Sequence, residues 1–111
     1  MLSRTVRTLL AGAIVFAASG ALAQGPAGNA DAAKNKISMC IGCHGVSGYK
    51  TAYPDVYHVP RIAGQQPAYL VNALKAYKSG ERPHPSMRGI AASLSEQDMA
   101  DLAAYYGGKG R

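Results

Sequence analysis

Tryptophan is missing from this 111-residue chain, and its one phenylalanine, Phe16, lies near the N-terminus. Acidic residues are scarce, six against twelve Lys and Arg. They are not clustered, so no paired carboxylates stand ready for general acid–base work. No Ser/His/Asp set supplies a nucleophile either. The basic residues are scattered rather than run together, which argues against a nucleic-acid partner. Beyond the first 23 residues no apolar stretch approaches the length needed to span a bilayer. Cysteine occurs only twice and histidine three times. A zinc site built on the cysteines would need two more ligands, and His58 and His84 do not form a second close-spaced pair. Internal repeats are absent, and no segment alternates well enough to predict a strand.

What the chain does have is Cys40-Ile41-Gly42-Cys43-His44. Two thiols three positions apart, followed at once by an imidazole, are the attachment signature of a c-type haem. On one helical turn Cys40 and Cys43 can reach the two vinyl groups on one side of a porphyrin and form thioethers with them. His44 is then carried under the iron as its proximal ligand. A Cys40–Cys43 disulfide would leave His44 without a role. A thioredoxin-like redox pair calls for a βαβ setting, and the sequence shows none. One haem c with its iron is therefore the expected cofactor.

The beginning of the chain supports the same reading. Arg4 and Arg7 precede a mostly apolar run from Leu9 to Leu22, and Ala21-Leu22-Ala23 is a small-x-small cleavage pattern. This is the form of a cleaved secretory signal peptide over residues 1–23, with the mature haem-bearing domain expected at 24–111. Gly12, Ser19 and Gly20 dilute the run too far for a retained span. Covalent haem attachment takes place outside the bacterial cytoplasm, so the expected location is the periplasm.

Cleavage leaves 88 of the 111 residues, carrying ten Lys/Arg and six Asp/Glu, or +4 with neutral histidines. The large aliphatics are then four Leu, four Ile and four Val. So small a core needs a staple, and a covalently bound porphyrin would be both staple and centre. The positive balance suits redox partners with acidic docking surfaces.

Residues 24–29 contain glycine and proline and are expected to fray. Ala33, Ile37 and Cys40 fall on one stripe of a first helix, capped by Asn29 or Asp31, that runs into the haem motif. Residues 46–66 read as an irregular loop whose Tyr49, Tyr53 and Tyr57 pack at the haem edge. A second helix spans residues 67–79, with Pro67 at its first position, Leu70, Leu74 and Tyr77 on its inner stripe and Gly80 as its stop. Pro83 and Pro85 argue for a stiff loop carrying His84 and Met87. The last helix opens at Ser95, with Asp98 completing a capping box and Met99, Leu102, Ala103 and Tyr106 facing inward.

Candidates for the second axial position of the iron are Met87, Met99, His58, His84, Met39 or none. Met39 adjoins Cys40 on the proximal side, and Met99 sits on a core stripe. His58 and His84 are polar loop residues. Met87 serves no helical stripe, and a thioether opposite imidazole would raise the reduction potential. A six-coordinate iron makes a mobile electron carrier. A vacant distal position would make a haem enzyme or gas sensor. A third reading is an electron-transfer subunit held within a larger dehydrogenase.

The chain resembles the small class I bacterial cytochromes c over almost all of residues 30–107. The likeness runs through Cys-Ile-Gly-Cys-His-Gly (40–45), Pro-Arg-Ile-Ala-Gly-Gln (60–65), Tyr-Leu-Val-Asn-Ala-Leu-Lys-Ala-Tyr-Lys-Ser-Gly-Glu-Arg (69–82), Met87 and residues 94–106. It is similar to the repeats of dihaem cytochromes c and to the cytochrome subunit of flavocytochrome c sulfide dehydrogenase. The resemblance implies an all-α cytochrome c fold, three to four helices around one covalently bound haem with the first and last helices crossing. It implies Met87 as distal ligand and the Pro60 carbonyl as hydrogen-bond partner of His44. It also places Ala33 and Ile37 against Leu102 and Tyr105 or Tyr106. With one haem motif the chain is not itself dihaem, and its loop from His44 to Pro60 is longer than in similar proteins.

Overall fold

The computed structural model describes residues 25–53 and 55–108, so the signal-peptide reading of residues 1–23 lies outside the described residues. In chain order the elements are α1 (Ala30–Ala33), α2 (Ser38–His44), β1 (Lys50–Thr51), β2 (Tyr57–His58), α3 (Pro67–Ser79), α4 (Pro85–Ala92) and α5 (Glu96–Gly107). The architecture is helical, as expected. α5 packs against both α1 and α3, and α4 packs on α3.

α3 and α5 form where local chemistry asks for them. Pro67 occupies the first turn of α3, where its missing N–H costs nothing. Gly80 ends that helix in the left-handed region at φ 84°, a conformation open to glycine without steric cost. α5 starts with a complete capping box: the Asp98 N–H donates to Ser95 Oγ at 3.0 Å, and the Ser95 N–H donates to Asp98 Oδ2 at 2.9 Å. Ser95→Ala removes one of these bonds and is expected to cost about 1 kcal/mol. The melting temperature should fall while the absorption spectrum stays the same.

The core joins Ala33, Leu70, Leu94, Met99, Leu102, Ala103 and Tyr106, with Ile37, Leu74 and Tyr105 packed against it. The first and last helices therefore meet through the residues the resemblance implied.

Four features differ from expectation. The helix leading to the haem motif is broken in two: Lys34 and Lys36 donate to the carbonyls of Asp31 and Ala33, three residues back, so the chain tightens between α1 and α2. This lets Ala33 and Ile37 keep to the core while Lys36 reaches Asp98 and Asp101. Second, residues 50–51 and 57–58 pair as a short antiparallel ladder, Lys50 opposite His58 and Thr51 opposite Tyr57. The Thr51 hydroxyl secures its end, accepting from the Tyr57 N–H at 3.2 Å and donating to the Asp55 carbonyl at 3.1 Å. Third, Met87 lies on a helix. Pro85 takes the first position of α4, and His84 caps it by accepting the Met87 N–H on Nδ1 at 3.3 Å. A proline there is pre-organised for a helix rather than hostile to one.

Fourth, the leader does not fray at Ala27 to Asn29. The Asn29 N–H donates to Asp101 Oδ1 at 2.9 Å, and Gln97 Nε2 donates to the Ala27 carbonyl at 2.8 Å. Gly28 passes so close to α5 that a Cβ there would stand 2.1 Å from the Ala100 carbonyl oxygen. Asp101 is 2 % exposed yet well supplied with donors: Asn29, Gln97 Nε2 at 2.8 Å and Lys36 Nζ at 3.0 Å. Those donors, the Asn29 amide first, hold its carboxyl below the usual range. Lys36, helped by the Ser95 amide, holds Asp98 at about 2. Both carboxyls are depressed in the folded state, so their contribution is complete above the ordinary aspartate value near 3.8. It is lost as pH falls through the Asp98 value of about 2. Thermal melts between pH 5 and 2 are expected to show this loss, and Asp101→Asn should flatten part of it.

Candidate haem site

α2, the segment after β2, α3, α4 and α5 enclose one apolar cavity of about 340 Å³, a size in the range of cofactor pockets. Cys40, Cys43 and His44 line it from α2, and Pro60 from the segment after the ladder. Met87 and Ile90 line it from α4, while Leu70, Leu74, Leu102 and Tyr106 supply its apolar floor. All five residues singled out for haem in the sequence thus border one space.

Local geometry shapes the α2 wall. Its last turn carries His44, and the Gly45 N–H closes on the Ile41 carbonyl at 3.0 Å. Nδ1 of His44 lies 2.7 Å from the Pro60 carbonyl oxygen. That contact is a hydrogen bond when Nδ1 carries the proton, which leaves Nε2 with its lone pair for a metal. Cys40 and Cys43 are free thiols, both partly exposed. Burial pushes the Cys40 thiol up, which keeps it protonated.

Tyr106 closes the back of the cavity. Its hydroxyl is buried without a hydrogen-bond partner among the described residues, and the Cys40 thiol is its polar neighbour. Burial, followed by the nearby Cys40 and Tyr105, raises the phenol to about 12. A buried hydroxyl left unpaired at a cavity wall is costly and marks a space shaped for a further group. Two thiols, an imidazole and a thioether line one apolar cavity, which is a donor set that fits haem and its iron.

The other axial candidates are placed as follows. Met99 is 1 % exposed in the core and does not line the cavity. Met39 lines the cavity and takes a contact from Ser93 Oγ at 3.9 Å. His58 and His84 both line it, although loop histidines of this kind are ordinarily solvated. His84 is committed to the α4 cap, and its ring meets that of Tyr57 at a tilt, 5.0 Å between centroids. Of the loop tyrosines only Tyr57 lines the cavity, while Tyr53 is 86 % exposed. Arg61 and Arg82 also border the space. Both are exposed, and no local sequence pattern marks an arginine as bordering a cavity.

Comparison with known proteins agrees with this geometry. The family described as Cytochrome c matches residues 27–106. The chain is 41% identical over 83 residues to cytochrome c-554(548) of Halomonas halodenitrificans, covering 72% of this chain and 95% of that protein. It is 39% identical over 80 residues to cytochrome c4 of Pseudomonas aeruginosa, covering 72% of this chain but only 38% of that one. It is also 35% identical over 75 residues to a thiosulfate dehydrogenase electron acceptor of Thiomonas intermedia, covering 68% of this chain and 33% of that one. The chain belongs to the cytochrome c family, as an electron-transfer protein with the all-α fold and the covalently bound c-type haem and iron of that family.

Proposed function

We propose that the protein is a periplasmic carrier of single electrons, exported by a signal peptide at residues 1–23 and not itself an enzyme. Cys40 and Cys43 bind the haem through thioethers, His44 is the proximal ligand and Met87 the distal one. The observation that carries this reading is a cavity lined by the α2 thiols and imidazole together with Met87 of α4. When bound, haem iron would supply the redox change, and His44 and Met87 would hold it within the apolar pocket. Hydrogen bonding to the Pro60 carbonyl fixes the tautomer and orientation of His44. With His44 and Met87 both holding the iron, no position would be left for a substrate, and among the described residues the cavity wall holds no carboxylate to serve as an acid or base. Among the described residues no helix is long and apolar enough to cross a membrane.

The partner surface follows from charge. Four of the six acids are tied up, Asp31 with Lys34, Asp98 and Asp101 with Lys36, and Glu96 with Lys75. Among the described residues Lys50 and Arg88 take part in no such pair, and both are exposed, which favours acidic docking partners. Two relatives are named as electron acceptors, which supports the carrier reading.

The test is the mass and spectrum of protein purified from its native source. A free chain beginning at Gln24 with one haem added, low-spin in both oxidation states and unreactive towards carbon monoxide, is expected. Co-purification with a dehydrogenase chain would favour the bound subunit instead. Ready carbon monoxide binding would favour the enzyme or sensor.

A further inference from the structure

His84 stands between Pro83 and Pro85, three residues before Met87. A residue that precedes proline is pushed towards extended backbone, and His84 has φ -147° and ψ 103°. Its N–H donates to the Arg82 carbonyl at 3.1 Å, and its carbonyl accepts the Arg88 N–H at 2.8 Å. The ring is held as well. Its centroid lies 5.0 Å from that of Tyr57 on β2 and 6.2 Å from that of Tyr77 on α3. Both spacings fall within the range of about 4.5–7 Å for interacting aromatic rings. Tyr77 is covered in turn by the Arg82 guanidinium at 4.6 Å. Nδ1 of this clamped ring accepts the N–H of Met87 itself at 3.3 Å.

Asparagine, aspartate, serine and threonine are the ordinary residues at a helix start. Any of them could cap α4 with a short side chain. An imidazole caps it with a rigid ring that also meets the ladder and α3. Methionine, by contrast, is unbranched and flexible, so a sulfur that must stay on one metal needs a fixed backbone. We infer that His84 is a positioning residue for the distal ligand: through the Met87 N–H it ties the start of α4 to Tyr57 and Tyr77. The inference rests on the reading of Met87 as distal ligand and adds what keeps its sulfur in place. It also gives the short ladder a task, since Tyr57 braces the ring that holds Met87.

The test measures cyanide binding by the oxidised, haem-loaded protein at a fixed pH. Cyanide enters only while the sulfur is off the iron, so its apparent affinity follows the fraction of opened protein. His84→Phe keeps a ring between the two tyrosines and removes the acceptor. Losing one helix cap should raise the cyanide affinity about fivefold. His84→Asn restores an acceptor at the helix start and should stay within about twofold of wild type. Ser95→Ala loses a comparable cap on α5, outside the cavity lining. It should lower the melting temperature and leave cyanide binding unchanged, which separates positioning from a general loss of stability.

Equal cyanide affinity in His84→Phe and wild type overturns the inference, as does an equal rise in Ser95→Ala. A rise in His84→Asn as large as that in His84→Phe overturns it too, since the acceptor would then play no part. Should His84→Phe fail to accumulate, the wild type decides alone. Labelled with nitrogen-15 and reduced, it should show a coupling across the hydrogen bond between the Met87 amide nitrogen and His84 Nδ1. A resolved coupling supports the inference, and its absence overturns it. Lack of the far-red sulfur-to-iron band in the oxidised wild type defeats the Met87 reading itself. That band present with unmoved cyanide binding defeats only the positioning role.

Discussion

Replacing His44 by alanine is expected to yield protein without a low-spin haem spectrum. The imidazole is the one side chain on α2 able to offer a nitrogen to the iron, and its ring is set by the 2.7 Å approach to the Pro60 carbonyl. His58 and His84 also border the cavity, but from β2 and the start of α4, and His84 is engaged as a helix cap. Neither can take over on the α2 side. Cys40→Ala and Cys43→Ala should each keep one thioether, seen as a red shift of the reduced pyridine band and as haem lost more readily on unfolding. Full haem content with an unaltered spectrum in any of the three variants would contradict the attachment reading.

Met87→Ala is the second change with a large expected effect, and it separates the carrier from the enzyme or sensor. With the Met87 sulfur bound to the iron, the oxidised protein shows a weak far-red charge-transfer band. The alanine variant should lose that band, show a lower potential and bind cyanide or carbon monoxide. Met87→His should stay six-coordinate with a lower potential, because imidazole stabilises ferric iron better than a thioether does. The control is Met99→Ala. Met99 is buried in the core, so its truncation should cost roughly 2–5 kcal/mol of stability and leave ligation intact. Native protein that lacks the band and takes up carbon monoxide would remove Met87 from the iron.

The sequence was most legible where structure is decided locally. α3 and α5 stand where Pro67, Gly80 and the Ser95–Asp98 box put them. The inward stripes of Leu70, Met99, Leu102 and Tyr106 are core residues. The haem motif was legible because its chemistry needs that spacing. α4 is hidden in the sequence because Pro83 and Pro85 read as breakers, whereas Pro85 stands at the first helical position, where a proline favours the helix. The break between α1 and α2 and the clasp of Asn29 on Asp101 were illegible for another reason. The Asn29–Asp101 partners are 72 residues apart, and periodicity carries no information about what a distant carboxylate will attract. Arg61 and Arg82 escaped notice on the same ground.

α2 carries the thiols and the imidazole, yet it has no buried residue of its own and no side-chain cap at its start. α5, by contrast, has six buried residues, a capping box and the clasp at its side. Before haem is attached, the free energy of opening should therefore differ sharply along the chain. Amide hydrogen exchange in the haem-free protein is expected to be slow on α5 and fast from Ser38 to His44, with strong protection of that stretch appearing only after attachment. The element that must meet the porphyrin is then the one that folding leaves free to breathe. The finished covalent bonds, rather than the polypeptide, close it.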